Sequence, residues 1–351
     1  MKKNTFLTIV PIFAFLAVFP FQCGSVQDAG VFKSQNKGET WERKVNIDNK
    51  SSIGAVEILT IALDPQDSKI IYLGTRANGL YKSKDAGDAW AKVEDKNGVL
   101  SSRANVYDIA IDAQNPRRIY IGTYQDKKGR VFRSQDAGES WEEVYIVSKE
   151  KFAVFAVAAD NYDSSVVYMG TAQGGFLKSA DYGKSWESLK WFDDVISDIV
   201  INPRDTRIVY VSTFKKGIYI TADKGLTWQS LEKSLKPFKE AERVEKIVID
   251  PQRPNIIYAG SQFGLLRSND GGANWQAVNV IIPPQSIPIL SLAVNPQNTN
   301  HLYYGAGSVL YRSLDQGENW TVHSLSSSKI IKTILVDPVN PDVVYVGMGG
   351  E

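Results

Sequence analysis

Three groups of side chains in this sequence have the types and spacing to do chemistry. The first occupies one equivalent position of a recurring apolar segment, four residues before an Asp or Asn: Thr60, Asp108, Ala156, Asp198, Lys246, Ser291 and Thr333. A polar, variable position amid apolar neighbours belongs on a strand that turns that side chain toward water. These residues are therefore expected to line a channel, with Asp108, Asp198 and Lys246 supplying its charge, either as satisfied polar groups or as a binding locus. The second group is Trp191-Phe192-Asp193-Asp194, aromatics beside carboxylates that could stack on a sugar ring or grip a peptide. Cys23 is the third. As the sole cysteine it can form neither a disulfide nor a cysteine metal cluster within one molecule.

Other reactive types are sparse. The two histidines, His301 and His323, have no second His or Cys nearby, so neither a metal site nor a Ser-His-Asp arrangement is expected, and no cofactor is implied. Unrepeated aromatics and charges also occur at Tyr145, Phe152, Lys236-Pro237-Phe238, Glu240, Glu242, Arg243 and Pro283-Pro284. Glycosidic chemistry would need two carboxylates facing each other over a cleft, for which Asp193 or Asp194 with Asp108 or Glu242 are the candidates. No catalytic constellation stands apart from the repeats, so no catalytic residue is assigned.

The elements that position these residues come from a motif present seven times, a hydroxyl residue, then Asp or Asn, Gly and Trp at fixed offsets. The copies place the acidic or amide residue at Asn36, Asp85, Asp136, Asp181, Asp223, Asp270 and Asp315. Before each motif stands an apolar stretch ending in Asp or Asn and usually Pro, then a Tyr and a small residue, as in Ile61-Ala62-Leu63-Asp64-Pro65 and Ile71-Tyr72-Leu73-Gly74-Thr75. Short β-branched and aromatic runs broken by Asp-Pro and Gly are strands joined by tight hairpins. A period of roughly 45 residues with four strands per unit is a propeller blade. The predicted fold is all-β, a seven-bladed β-propeller of four-stranded antiparallel blades, with the continuously apolar first strand most buried.

The ends complete the count. The chain opens on a motif without its preceding stretch (Gly30 to Trp41) and finishes on that stretch without a motif (Thr333 to Gly347). Joined, they make the seventh blade, so N-terminal strands complete the C-terminal blade and remove an open sheet edge. Residues 24–351 are expected to form one domain. Within the motif, Asp accepts turn amides and Gly takes positive φ, a structural task shared by all seven copies. The Lys or Arg before six of the hydroxyls (Lys33, Lys82, Arg133, Lys178, Arg267, Arg312) is expected on a solvated blade face.

The spacing kept in Ser134-Gln135-Asp136-Ala137-Gly138-Glu139-Ser140-Trp141 resembles the Asp-box (BNR) repeat of sialidases, xyloglucan-cleaving glycosidases, sortilin-type receptors and photosystem II assembly factors. Motif and preceding stretch together are most similar to the sortilin and xyloglucanase group, over nearly all of residues 30 to 349. The resemblance implies a propeller that catalyses, binds peptides or assists assembly. Sialidase relatives usually show an Arg-Ile-Pro motif near the N-terminus, which is absent here. Xyloglucan-cleaving relatives place one acid on each of two propellers, whereas this sequence supplies blades for one.

Composition narrows the partner. With 40 basic and 39 acidic residues among 351 and no Lys/Arg cluster, a nucleic-acid partner is not expected. Lys2 and Lys3 before the apolar run Phe6 to Phe21 form an export signal, expected over residues 1–23. Cys23-Gly24-Ser25 after that run resembles a lipoprotein processing site, although Pro20-Phe21-Gln22 replaces the usual small residues. The expectation is an exported, monomeric scaffold of the cell envelope, touching membrane only through lipid on Cys23. A protein or peptide is its expected partner. A polysaccharide-cleaving role is the alternative, with an assembly-factor role behind it.

Overall fold

A computed structural model describes residues 28–48 and 50–350; residues 1–23, expected to be an export signal, and with them Cys23, lie outside the described residues. Seven separate four-stranded antiparallel sheets form the ring, and Glu232–Leu235 is the sole α-helix among the described residues. The inner strands of blades one to seven are Ile58–Leu63, Asn105–Ile111, Val154–Ala159, Ile196–Ile201, Val244–Ile249, Ile289–Val294 and Ile330–Val336. In the seventh sheet, Gly30–Ser34 pairs with Val344–Gly349 in register from Gly30 opposite Met348 to Ser34 opposite Val344, and Glu42–Lys44 forms the outer edge. The N-terminal strands thus complete the C-terminal blade.

Burial differs from expectation in one respect. The second strand is the continuously buried one, as in Ile71–Thr75 and Val209–Thr213, whereas the first alternates between buried and partly open residues. The second strand lies between two partners within its blade and packs on neighbouring blades above and below. The first gives up one side to the channel.

Each box is a closed hydrogen-bond unit. Ser134 Oγ donates to Asp136 Oδ1 (2.8 Å) and accepts from Gly138 N (2.8 Å), while Asp136 Oδ1 accepts from Ser140 N (2.9 Å). Ala137 and Gly138 hold φ of +63° and +87°, a reversal that only Gly tolerates cheaply at the second position. The Trp indole donates back to the Gly carbonyl in four boxes, as from Trp228 to Gly225 O (3.0 Å).

Four of the six basic residues before the box hydroxyls turn to the next blade and not to solvent, while Lys178 and Arg267 are half-buried and reach no turn carbonyl. Lys33, Arg133 and Arg312 are buried and donate to Ala86 O, Tyr182 O and Lys37 O, the turn carbonyls of the next blade. Tyr72 and Lys82 both reach Ala137 O (2.9 and 2.8 Å), and Tyr345 reaches Ala86 O (3.0 Å). Positive φ aims that carbonyl at the preceding blade, where water is excluded, so a donor must meet it.

Candidate ligand-binding surface

The channel is built by one repeated irregularity. Every inner strand carries a register shift immediately before the variable position, between Ile58 and Thr60, Val106 and Asp108, Val154 and Ala156, Ile196 and Asp198, Val244 and Lys246, Ile289 and Ser291, and Ile331 and Thr333. A bulge re-aims side chains and leaves one extra residue unpaired. Two consecutive residues of most blades consequently face the axis. Tyr107, Phe155, Ser197 and Glu245 join Thr60, Asp108, Asp198, Lys246, Ser291 and Thr333 as lining residues. Sequence periodicity missed this second tier, because a bulge breaks the alternation on which the reading rests.

The channel's charges are engaged with the backbone. Asp108 accepts from Ile109 N and, across the blade boundary, from Val157 N, both at 2.9 Å. Asp198 does the same with Ile199 N (3.1 Å) and Ile247 N (3.2 Å), and Lys246 Nζ sits 3.1 and 3.0 Å from its two oxygens. Ser291 Oγ donates to Ile331 O (3.3 Å). Blades two, four and six are thereby fastened to blades three, five and seven at the axis.

Burial pushes the Asp108 carboxyl up to about 6, opposed by the Lys246 charge and the Val157 amide. Burial pulls Lys246 down, but Asp198 and Asp108 hold its ammonium above the ordinary lysine value. Lys246 still keeps 41% of its side-chain surface open to the channel, so it is enclosed yet wet. The central cavity measures about 150 Å³, against 300–1,000 Å³ for an ordinary ligand pocket.

At the rim, the second predicted group divides. Trp191 is 54% exposed and lies over Gly175, whose Cα would carry a Cβ only 3.1 Å from the ring. Phe192 is buried instead, packed at 4.6 Å on Tyr219 and 5.2 Å on Trp228, because the chain crossing from blade three to blade four turns it inward. It is not available to a ligand. Asp194 is held by Val195 N, Lys215 N and Lys216 N, a loop clamp, while Asp193 stands in solvent with Lys216 at 3.6 Å. Gly174 has no room for a side chain, since a Cβ would fall 2.0 Å from Phe192 O.

The other unrepeated aromatics also pack down. Tyr145 leans on Trp186 and Phe238 on Phe263. No cluster of three or more His, Cys, Asp or Glu able to hold a metal ion occurs among the described residues.

Comparison with known proteins agrees with this architecture. The family model described as Sortilin, neurotensin receptor 3, matches residues 174–263. Xyloglucanase Xgh74A of Acetivibrio thermocellus is 40% identical over 72 residues, which are 18% of this chain and 8% of that protein. The GH74 xyloglucanase structure from Xanthomonas campestris superposes with a TM-score of 0.69 at 16% identity, covering 88% of this chain and 52% of its own. A structure of YCF48 bound to D1 peptide gives 0.63 at 15% identity, covering 84% of this chain and 92% of its own. This chain thus spans about half the length of that glycosidase and nearly all of YCF48. Repeat, blade count and ring closure together make it a seven-bladed propeller, similar in residues 174–263 to the sortilin model and in overall fold to the GH74 xyloglucanase propellers.

Proposed function

We propose that the protein is an exported, N-terminally anchored propeller that binds a protein or peptide segment across its loop-bearing rim without catalysis. The state of the channel carboxylates carries this reading: Asp108 and Asp198 spend their oxygens on backbone amides and Lys246, around a cavity too small for a sugar chain. Retaining or inverting hydrolysis needs two carboxyl groups free to reach a glycosidic bond, with room for the sugar between them. Trp191 supplies a rigid exposed ring and Asp193, two residues on, a solvent-exposed carboxylate paired with Lys216, a combination suited to anchoring a peptide. The YCF48 likeness supports the same direction, since a single propeller of that length carries a bound peptide.

Capture of partners by the anchored protein in its native envelope, alongside a glycan array and a xyloglucan turnover assay, tests the proposal. The expected result is a captured protein whose retention falls at least tenfold in Trp191→Ala. Turnover of xyloglucan, abolished by Asp193→Asn, would install the glycosidase reading in its place.

A further inference from the structure

Charge is absent from one sector of the ring. Residues 271–311 contain no Asp, Glu, Lys or Arg, in a chain that is 23% charged. A stretch of this length ordinarily carries about ten such residues. It spans the end of blade five, the connecting loop and most of blade six. In that loop Ile281 is 54% exposed, Ile287 is 44% exposed, and Pro283-Pro284 separates them. A single exposed Ile means little. Two on one charge-free, proline-stiffened loop mark a surface made for an apolar neighbour.

The path of the chain says which neighbour. Ile287, Pro288, Leu290 and Ile330 line a cleft of about 450 Å³ together with Ser328 and Lys332. Asp28 accepts from Ser328 N (2.8 Å) and Ser328 Oγ (2.7 Å), so the N-terminal chain enters the ring at this cleft. Cys23 lies five positions earlier, a reach of at most about 18 Å. An anchor there holds this rim, and not the box turns a strand length away, against the bilayer.

We propose that the uncharged loop between blades five and six rests on the lipid surface, with Ile281 and Ile287 entering the headgroup boundary and Lys332 of blade seven at its margin. The inference rests on the export and anchoring reading above. A charged loop would resist losing water to the headgroup layer, whereas this one gives up apolar surface, backbone and the uncharged polar side chains of Asn279, Gln285 and Ser286. Two isoleucines bind a bilayer weakly by themselves, as does a single acyl chain; the short tether supplies the effective concentration that makes the contact persist. Because blade three lies across the ring from blades six and seven, the contact tilts Trp191 away from the membrane and leaves it open to a partner.

Every strand pairing of the ring lies within residues 30–349, so the chain from Gly24 carries the whole closed ring and no cysteine. With an N-terminal hexahistidine it is tethered to phosphatidylcholine and phosphatidylglycerol vesicles containing a nickel-chelating lipid. A polarity-sensitive dye is placed on Ile281→Cys, or on Leu226→Cys in a box turn at the opposite end, where Leu226 is 73% exposed. Brominated acyl chains should quench the Ile281→Cys label by about half or more and leave the Leu226→Cys label unchanged, in line with a depth of 5–10 Å. Adding Ile287→Asp, with the strand signal in circular dichroism intact, should abolish the quenching. Equal quenching at both ends, none at either, or shielding of the Ile281→Cys dye in solution without vesicles, which would mark a second copy as the occupant, overturns the proposal. Thiol labelling of Cys23 in the full chain separately reports whether the lipid-anchor reading stands.

Discussion

The two ends of the ring solve different problems. At the end that carries the box turns, one arrangement recurs: hydroxyl to carboxylate or amide and glycine amide to hydroxyl in all seven boxes, and in five of them a Tyr or basic side chain from the preceding blade on the turn carbonyl. At the other end the connections differ in length and content, from the helix at Glu232–Leu235 to the exposed Trp191 and the uncharged loop before blade six. A task repeated seven times selects the same residue types seven times. Where residues do not repeat, each serves one loop: Phe192 packs inward and Asp194 clamps its loop, whereas Trp191 is left exposed.

The comparison breaks hardest at the seam where both ends depend on closure. Deleting residues 28–44 removes half of the seventh blade and uncovers the edge of Val344–Gly349, together with the buried partners of Val31 and Phe32. Loss of the cooperative thermal transition and aggregation are expected, read by calorimetry and light scattering. A ring that melts normally without these strands would show that closure contributes little.

Next in size is a pair of tryptophans, one from each end. Trp141→Ala empties a fully buried site and should cost about 3–5 kcal/mol in urea unfolding. Trp191→Ala removes an exposed ring and should stay within about 0.5 kcal/mol. Equal losses would erase the distinction between a repeated, structural Trp and an unrepeated, free one.

Acid separates the box from the channel. Hydrogen bonds from Ser185 and Thr227 hold Asp181 and Asp223 down at about 2, so their contribution is complete above the unfolded value near 4 and is lost as pH falls toward 2. Asp108 has the opposite sign. Burial raises it to about 6, so the folded state takes up its proton first and stability declines as pH rises from about 4 through 6. Urea midpoints against pH should therefore show a steep acid limb and a shallow fall toward neutrality, with Asp108→Asn flattening only the latter. Flattening of the acid limb instead would mean that the channel carboxylate carries the box's role.

The fold was legible because its signals are local and repeated: hairpin residues, strand period and the split seventh blade. The channel position was legible for the same reason, since a polar residue stood in register in an apolar strand. Its second tier was not, because a bulge leaves no residue-type signature. The inward turn of Phe192 and the cross-blade reach of Lys33, Arg133 and Arg312 were also hidden, for these depend on which blade lies next door. A solvent-seeking residue type on a strand says nothing about a carbonyl supplied by another blade.

The smallest predicted effect concerns one such cross-blade device, a belt at the box end. Two residues after the Asp or Asn that ends the inner strand, Gln66, Gln114, Gln252 and Gln297 each donate through Nε2 to two backbone carbonyls of the following blade, as Gln114 does to Asn161 O (3.3 Å) and Tyr162 O (2.7 Å). Tyr162 makes the equivalent contact to Pro203 O (3.1 Å). In blade seven the position is Val339, 61% exposed and without a donor. The belt is therefore open at the junction of the last blade with the first, as it is at Arg204, the equivalent position of blade four, whose side chain makes no such contact. Val339→Gln would place Nε2 toward the carbonyls of Pro65 and Gln66, the counterparts of those that Gln297 reaches in blade seven. A partly exposed hydrogen bond of this kind contributes about 0.5–1.5 kcal/mol less the entropy of fixing the side chain, so a gain of about 0.5 kcal/mol in the urea midpoint is expected. Substituting Val339→Glu controls for polarity alone, because a carboxylate cannot donate to those carbonyls and should give no gain. A gain from both would trace the effect to removing exposed apolar surface and deny the belt any part in holding the ring.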